Sequence, residues 1–328
     1  MIDTTPLSAK VIGELYSVDG KTLQRQYKHK LSDYKDWKQK TRSDEFLIYP
    51  QNIGPQLSID ETALSNGELY TVITNKKARG KKGSLVALIR GTKAETVLHY
   101  LLRIPSSLRR KVKEITLDMA YSMISICSTA FPKAVQVTDR FHVQKLAYEA
   151  VQELRIRYRW EALDQENELM ETAKQSAKSY TPELFENGDT RKQLLARSRH
   201  LLFKHHSKWT EKQAQRAEVL FKHYPSLHKA YKLSMELFHI YQNTKVKEVA
   251  YTKLARWYEA VEQSKFKTFN TVKRTIQQHY RSILNYFDNR STNASAESFN
   301  AKIKAFRLQF RGVRSTDYFL FRIEKLFA

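Results

Sequence analysis

Three β-rich runs stand in succession, Leu57–Thr62, Leu69–Asn75 and Ser84–Arg90. Two more, Lys113–Asp118 and Ala134–Asp139, follow, each preceded by a helix-like segment, Lys93–Arg103 and Ala120–Phe131. That order leaves few folds open. Strands joined by short connections make an antiparallel meander, whereas strands joined through helices run parallel by crossover, so the expectation is α/β with one mixed sheet flanked by helices. Ser65-Asn66-Gly67 supplies a hairpin turn between the first two runs. If the first and fourth strands are neighbours, their ends come together at one edge of the sheet.

Strand patterning stops after Arg140 and does not return before about Asp288. The stretch is rich in Glu, Lys, Gln, Leu, Ala and Arg, with breaks at Thr181-Pro182, Asn187-Gly188-Asp189 and Tyr224-Pro225, and reads as several packed helices. Trp160, Trp209 and Trp257 are expected in its core, since tryptophan is usually largely buried. The first fifty residues also read as helical, with Ser8–Tyr16 and Lys21–Lys40 on either side of Val18-Asp19-Gly20. Leu23, Tyr27, Leu31, Tyr34 and Trp37 mark one apolar face of the second segment. Two helices around a glycine turn are compatible with a helix-turn-helix, although such pairs are common. The expected division is therefore 1–52, an N-terminal helical region; 53–150, the first part of the sheet domain; 151–288, a helical insertion; and 289–328, C-terminal helices that complete the sheet domain.

Charge narrows the partners. Lys and Arg total 57 against 34 acidic residues, a net charge of +23. A surface that positive repels itself unless a polyanion offsets it, and nucleic acid is the commonest polyanion in a cell. A hydrophobic content of 41% with 28% charged residues describes a globular chain, not a disordered one. No apolar run approaches a membrane span and the first twenty residues lack a signal-peptide core, so no membrane partner is expected. The single cysteine, Cys127, excludes an intrachain disulfide and a multi-cysteine zinc site, and suits the cytoplasm.

Acidic positions in unusual places give the chemistry. Leu57 and Ile59 alternate with Ser58 and Asp60, the period of a strand with one buried face, and aspartate is disfavoured on strands. Asp60 either ends the strand at a turn or has a cationic partner such as a metal ion. Asp118 ends the fourth strand, where it could also cap the next helix. Glu297 lies in the first turn of a helix from Ala294 to about Arg311, where the helix dipole favours an acid. Around that helix Phe299, Ile303, Phe306 and Phe310 fall on one stripe, and Glu297, Asn300, Lys304 and Arg311 fall on the other side. Carboxylates gathered at one sheet edge suit one or two Mg²⁺ ions, which can clamp the oxygens of a phosphoryl transfer. Lys302, Lys304, Arg307 and Arg311 beside Glu297, and Lys76, Lys77, Arg79, Lys81 and Lys82 between the second and third strands, are candidate phosphate contacts. For the second group a solvated hairpin tip is an equal reading.

Four motifs carry a resemblance: Ser-Ile-Asp60-Glu61-Thr, Thr-Leu-Asp118-Met, Asp139-Arg-Phe-His142-Val and Asn293-Ala-Ser-Ala-Glu297-Ser-Phe-Asn300-Ala-Lys-Ile-Lys304. In this order, over about residues 20–328, the chain resembles the DDE transposases of bacterial insertion sequences, in the ISL3 group and close to its ISAon-type members. The resemblance implies a ribonuclease H-like core interrupted by a helical insertion, with Asp60, Asp118 and Glu297 as the metal-binding catalytic triad. It implies two Mg²⁺ (or Mn²⁺) ions, and Asp139, His142 and Asn300 as residues beside the site. The implied activity is cleavage at the ends of a mobile element and strand transfer into target DNA, by a homodimer on DNA near the bacterial nucleoid. Longer relatives carry a zinc-binding recognition region that one cysteine cannot build, so either that module is reduced here or a separate polypeptide, a further partner, supplies it. A nuclease with the same core that joins no strands, and a non-catalytic DNA-binding descendant of a transposase, are the alternatives.

Overall fold

The computed structural model describes residues 1–64, 67–310 and 315–328. It resolves into two compact units, Met1–Asp139 with Asn289–Ala328, and Arg140–Asp288. Two residues of the expected hairpin turn, Ser65 and Asn66, lie outside the described residues, as does Arg311.

The first unit is built on one six-stranded sheet. Its strands are β1 (Phe46–Ile48), β2 (Gln56–Ala63), β3 (Leu69–Asn75), β4 (Leu85–Arg90), β5 (Glu114–Leu117) and β6 (Val135–Thr138), in the order β1-β4-β3-β2-β5-β6. The β2-β3-β4 meander is antiparallel, while β5 joins β2 and β6 joins β5 in parallel. The sheet is therefore mixed, as expected, with β3 and β2 at its centre. Strand β1 was not anticipated. It has three residues, too few to show a period, and exists because β4 offers it an edge through Phe46↔Ile89 and Ile48↔Ala87.

Alternation along the strands separates two cores. Leu57, Ile59, Ile73, Ile115 and Leu117 point to one face, where Val97 and Leu101 of α3 (Ala94–Leu101) and Met123, Ile126 and Cys127 of α5 (Tyr121–Ala130) cover them. The short helix α4 (Ser106–Arg109) lies between. On the other face Tyr70, Val72 and Leu88 meet Phe299, Ile303 and Phe306 of α14 (Ala294–Leu308) and Phe319, Phe321 and Ile323 of α15 (Thr316–Phe327). Each such ring or aliphatic side chain contributes about 1.5–3 kcal/mol by leaving water, so the phenylalanine stripe of α14 determines which side of that helix turns inward.

The N-terminal segment belongs to this second core. Helices α1 (Ala9–Leu15) and α2 (Gly20–Gln26) are real, but the long helix expected to Lys40 ends in a π-helical turn at Tyr27–Leu31. Tyr27, Tyr34 and Trp37 still bury themselves, as edge-on partners of Tyr318 and Phe321, whereas Leu31 is exposed. Packing against α15 therefore overrides helical periodicity. Gly13 and Gly20 hold α1 and α2 together: a Cβ on Gly13 would sit 2.4 Å from the Val18 carbonyl oxygen. Arg322 of α15, fully buried, donates to the carbonyls of Ile2, Thr5 and Leu7 and so ties down the chain's start.

The second unit is helical: α6 (Arg140–Gln175), α7 (Arg191–Arg197), α8 (Glu211–His223), α9 (Pro225–Asn243), α10 (Lys247–Ser264), α11 (Lys267–Gln278), α12 (Tyr280–Leu284) and most of α13 (Tyr286–Asn289). It starts at Arg140 rather than at 151, because α6 begins directly after β6 and is unbroken. Capping boxes at Thr190 and Thr210 start α7 and α8. Trp257 is buried and bonds the Leu233 carbonyl through its indole. Trp160 departs from expectation: it is 58% exposed, on a helix too long for one neighbour to cover every turn. Asp189 accepts from both Arg197 and Arg216 and ties α7 to α8. Among the described residues no helix is long and apolar enough to cross a membrane.

Candidate active site

Register places three aspartates at one level. Ser58 pairs with Thr116, and Leu117 pairs with Thr138. Continuing those rows brings Asp60, midway along β2, beside Asp118, and Asp118 beside Asp139, the latter two just past the carboxyl ends of β5 and β6. Since Ile59 and Leu117 enter the core beneath, the aspartates project from the opposite face, the one under α14. Open α/β sheets offer ligand sites at this kind of strand end.

Each carboxylate is oriented differently. One oxygen of Asp60 accepts from the Glu61 amide at 2.8 Å and the other from the Asn300 side-chain amide at 2.7 Å. Asp118 accepts from the Ala120 amide at 2.9 Å, a turn-type bond at the entry to α5. Asp139 is buried and accepts from the backbone amide of Asn293 at 3.3 Å. Asp139 and Glu297 bring carboxylate oxygens within 4.8 Å of one another. Among the described residues Asp60, Asp118 and Glu297 do not close to that spacing as a set. Glu297 thus stands beside the acid expected only to flank the site, while Asp60 accepts from Asn300, one turn further along the same helix. His142 stands one turn beyond Asp139, in the first turn of α6.

Glu61 reports the local field. Burial, then the charges of Asp118 and Asp60, push its carboxyl above the usual carboxylate range. Alternation turns Glu61 away from the face of Asp60, yet it still senses both acids. Negative charge so concentrated favours a cation, and hard carboxylate oxygens suit Mg²⁺ or Mn²⁺ over softer metals.

Two networks fasten α14 and its leading turn to the sheet. Lys76, just past β3, places its ammonium against Thr116 Oγ1, Ser291 Oγ and, at 3.5 Å, Glu114 Oε1. Glu114 also accepts from Ser291 at 2.5 Å and from Asn289 at 3.3 Å. Burial lowers the Lys76 pKa, and the Glu114 carboxylate opposes that shift. Further along, Lys302 donates to the Gly80 carbonyl at 2.9 Å, and Arg307 donates to the carbonyls of Ala63 and Leu64.

These bonds sort the expected phosphate contacts. Lys76 is removed from that set, because its ammonium is committed inside the protein. Lys302 and Arg307 spend donors on backbone carbonyls. Lys77, Arg79, Lys81, Lys82 and Lys304 are exposed. The segment Lys76–Ala78 is a short 3-10 turn capped by Asn75, followed by Arg79 in the left-handed region with φ of 51°. Glu114, Thr116, Ser291 and Asn293 were missed from sequence. Their signal was faint: Glu114 and Thr116 alternate with Ile115 and Leu117, placing two polar residues on the face of Asp118.

A family model described as a transposase, the DDE transposases of the ISL3 type, matches residues 57–323. Among solved structures, the Drosophila P element transposase strand transfer complex aligns over 97% of this chain and 90% of that chain, at 13% identity and a TM-score of 0.38. No curated protein gives a match. With the family match running from the first core residue of β2 into α15, the chain belongs to the ISL3 family of DDE transposases.

Proposed function

We propose that this chain cleaves DNA at the ends of a mobile element and joins the freed 3′ ends to target DNA, using divalent metal ions held by Asp60, Asp118 and Glu297. The observation that carries the reading is the single row of Asp60, Asp118 and Asp139 on the sheet face overlaid by the helix of Glu297 and Asn300. When bound, one or two Mg²⁺ or Mn²⁺ ions would supply charge neutralisation and an activated oxygen nucleophile for in-line displacement at phosphorus. The chain's own groups do the rest. Asn300 holds one oxygen of Asp60 and the Glu61 amide the other, so the carboxylate is oriented from both sides. Asp139, held by the Asn293 amide, stands next to Glu297 and is a candidate fourth acid, with His142 one helical turn on.

Lys77, Arg79, Lys81, Lys82 and Lys304 are proposed to meet DNA phosphates, consistent with a chain of net charge +23. Pairing two element ends calls for a homodimer on DNA, and end recognition is assigned to a separate polypeptide. The test is metal-dependent cleavage and strand transfer on the element's own ends, with Asp60→Asn, Asp118→Asn and Glu297→Gln each expected to abolish both. Full activity in a folded variant removes that residue from the triad. Cleavage without joining by the wild type identifies a nuclease.

A further inference from the structure

The ammonium of Lys76 bridges two parts of the chain that must be in register if Glu297 is to reach the sheet. One is the start of β5, through Glu114 and Thr116. The other is the turn 289–293, through Ser291. That turn leads straight into α14, whose first turn carries Glu297, and the Glu297 amide bonds back to the Asn293 carbonyl at 3.0 Å. Asn293 is the helix N-cap residue yet makes no side-chain cap, and both polar atoms of its buried side chain lack a protein partner. Its backbone amide goes instead to Asp139.

We propose that Lys76, through Ser291 and Glu114, is the positioning residue for Glu297, fixing the turn so that α14 delivers its carboxylate beside Asp139. The network has the chemistry for this. Ser291 accepts from Lys76 and donates to Glu114, so its hydroxyl has a defined orientation. Asn289 donates to the second oxygen of Glu114, which leaves that carboxylate one arrangement. A buried ion pair gives little net stability, because desolvation offsets attraction, and its value lies in geometry. Thr116 lies two residues before Asp118, which follows β5 directly, so the same ammonium references Glu297 to the aspartate row. The inference rests on the metal-site reading above, but the strut itself involves no metal and no DNA.

The experiment uses the full chain and two variants. Ser291→Ala cuts the strut at the turn and leaves Lys76 with Glu114 and Thr116. The double variant Lys76→Met, Glu114→Leu replaces the ion pair by apolar groups of similar size and guards against a misfolded Lys76→Met. Hydrogen exchange followed by mass spectrometry is expected to show the segment 289–300 exchanging several-fold faster in both variants, with β2 and β3 unchanged. Mn²⁺ binding, followed by the electron paramagnetic resonance of the free ion, is expected to weaken about tenfold. The metal concentration for half-maximal cleavage should rise in parallel, and excess Mn²⁺ should restore most of the rate. Wild-type exchange in 289–300 overturns the strut. Faster exchange with unchanged Mn²⁺ binding overturns its link to Glu297. A wild type that binds Mn²⁺ but cuts no DNA counts against the transposition reading alone, because exchange and Mn²⁺ binding still decide this one.

Discussion

The Asn300 side-chain amide donates to Oδ2 of Asp60 at 2.7 Å, linking two residues 240 positions apart. Asn300 is buried on the face of α14 that meets β2, and its amide also lies 3.4 Å from the Glu61 carbonyl. The bond leaves Asp60 one orientation. Groups that orient a metal-binding carboxylate typically matter 10–100-fold (about) for metal affinity or rate. Asn300→Leu is therefore expected to lower metal-dependent cleavage about 30-fold, without moving the thermal midpoint by more than a few degrees. A fully active Asn300→Leu enzyme would show that Asp60 needs no such support.

The basic loop separates into contacts and struts by salt dependence. Neutralising Lys77, Arg79, Lys81 and Lys82 to Gln should weaken DNA binding and flatten the plot of log affinity against log salt by about 0.9 per lost phosphate contact. Lys76→Met should leave that slope unaltered, since the Lys76 ammonium already faces Glu114, Thr116 and Ser291. Binding isotherms at several salt concentrations measure both. A slope change for Lys76→Met as large as for Lys81→Gln would return Lys76 to the DNA surface.

Arg322 fastens the N-terminus from inside the core. Its guanidinium donates to three backbone carbonyls and lies over the rings of Tyr27 and Phe306. Arg322→Ala frees those carbonyls and opens a cavity, at a cost of about 3–5 kcal/mol. Denaturant melts should show it, with Met1–Leu15 becoming protease-sensitive. Arg322→Met, which keeps most of the volume, should lose less.

Acid should loosen the helical unit through Asp189. Burial raises its pKa, but the bonds and charges of Arg216 and Arg197 outweigh burial and leave it below the ordinary aspartate value. A carboxyl whose pKa is depressed on folding contributes stability that is complete above its unfolded pKa, about 3.9. That contribution disappears as pH falls through the lower folded value. Asp189→Asn is expected to cost about 1–3 kcal/mol at pH 7. The gap between mutant and wild type should close below about pH 4 in urea melts. A gap that stays constant to pH 2 would mean the ionised carboxylate is not what holds α7 to α8.

Legibility followed the range of the forces involved. The strands from β2 to β6 and the helices α3, α5 and α14 were readable because alternation and the 3.6-residue period are written in neighbouring residues. Strand β1 was not, being too short to carry a period and defined by its partner β4. The helix expected over Lys21–Lys40 failed where Tyr34 and Trp37 found better packing against Phe321 than a continuous helix allows. Trp160 was placed inside on average behaviour, and nothing near it in sequence says that its side of α6 faces solvent.

By itself the sequence determined the strongly basic composition, the meander followed by parallel strands, and the aspartates on or just after strands. Each follows from composition or from a period of two, which needs no knowledge of distant residues. Only the tertiary structure decided the partners: Asn300 on Asp60, Asp139 beside Glu297, and Lys76 turned inward to Ser291, 215 positions away. A helical stripe says which face is buried but not what covers it. Closing a loop that long costs an entropy nearly independent of the residues in it, so only the packed core reveals which acid Glu297 meets.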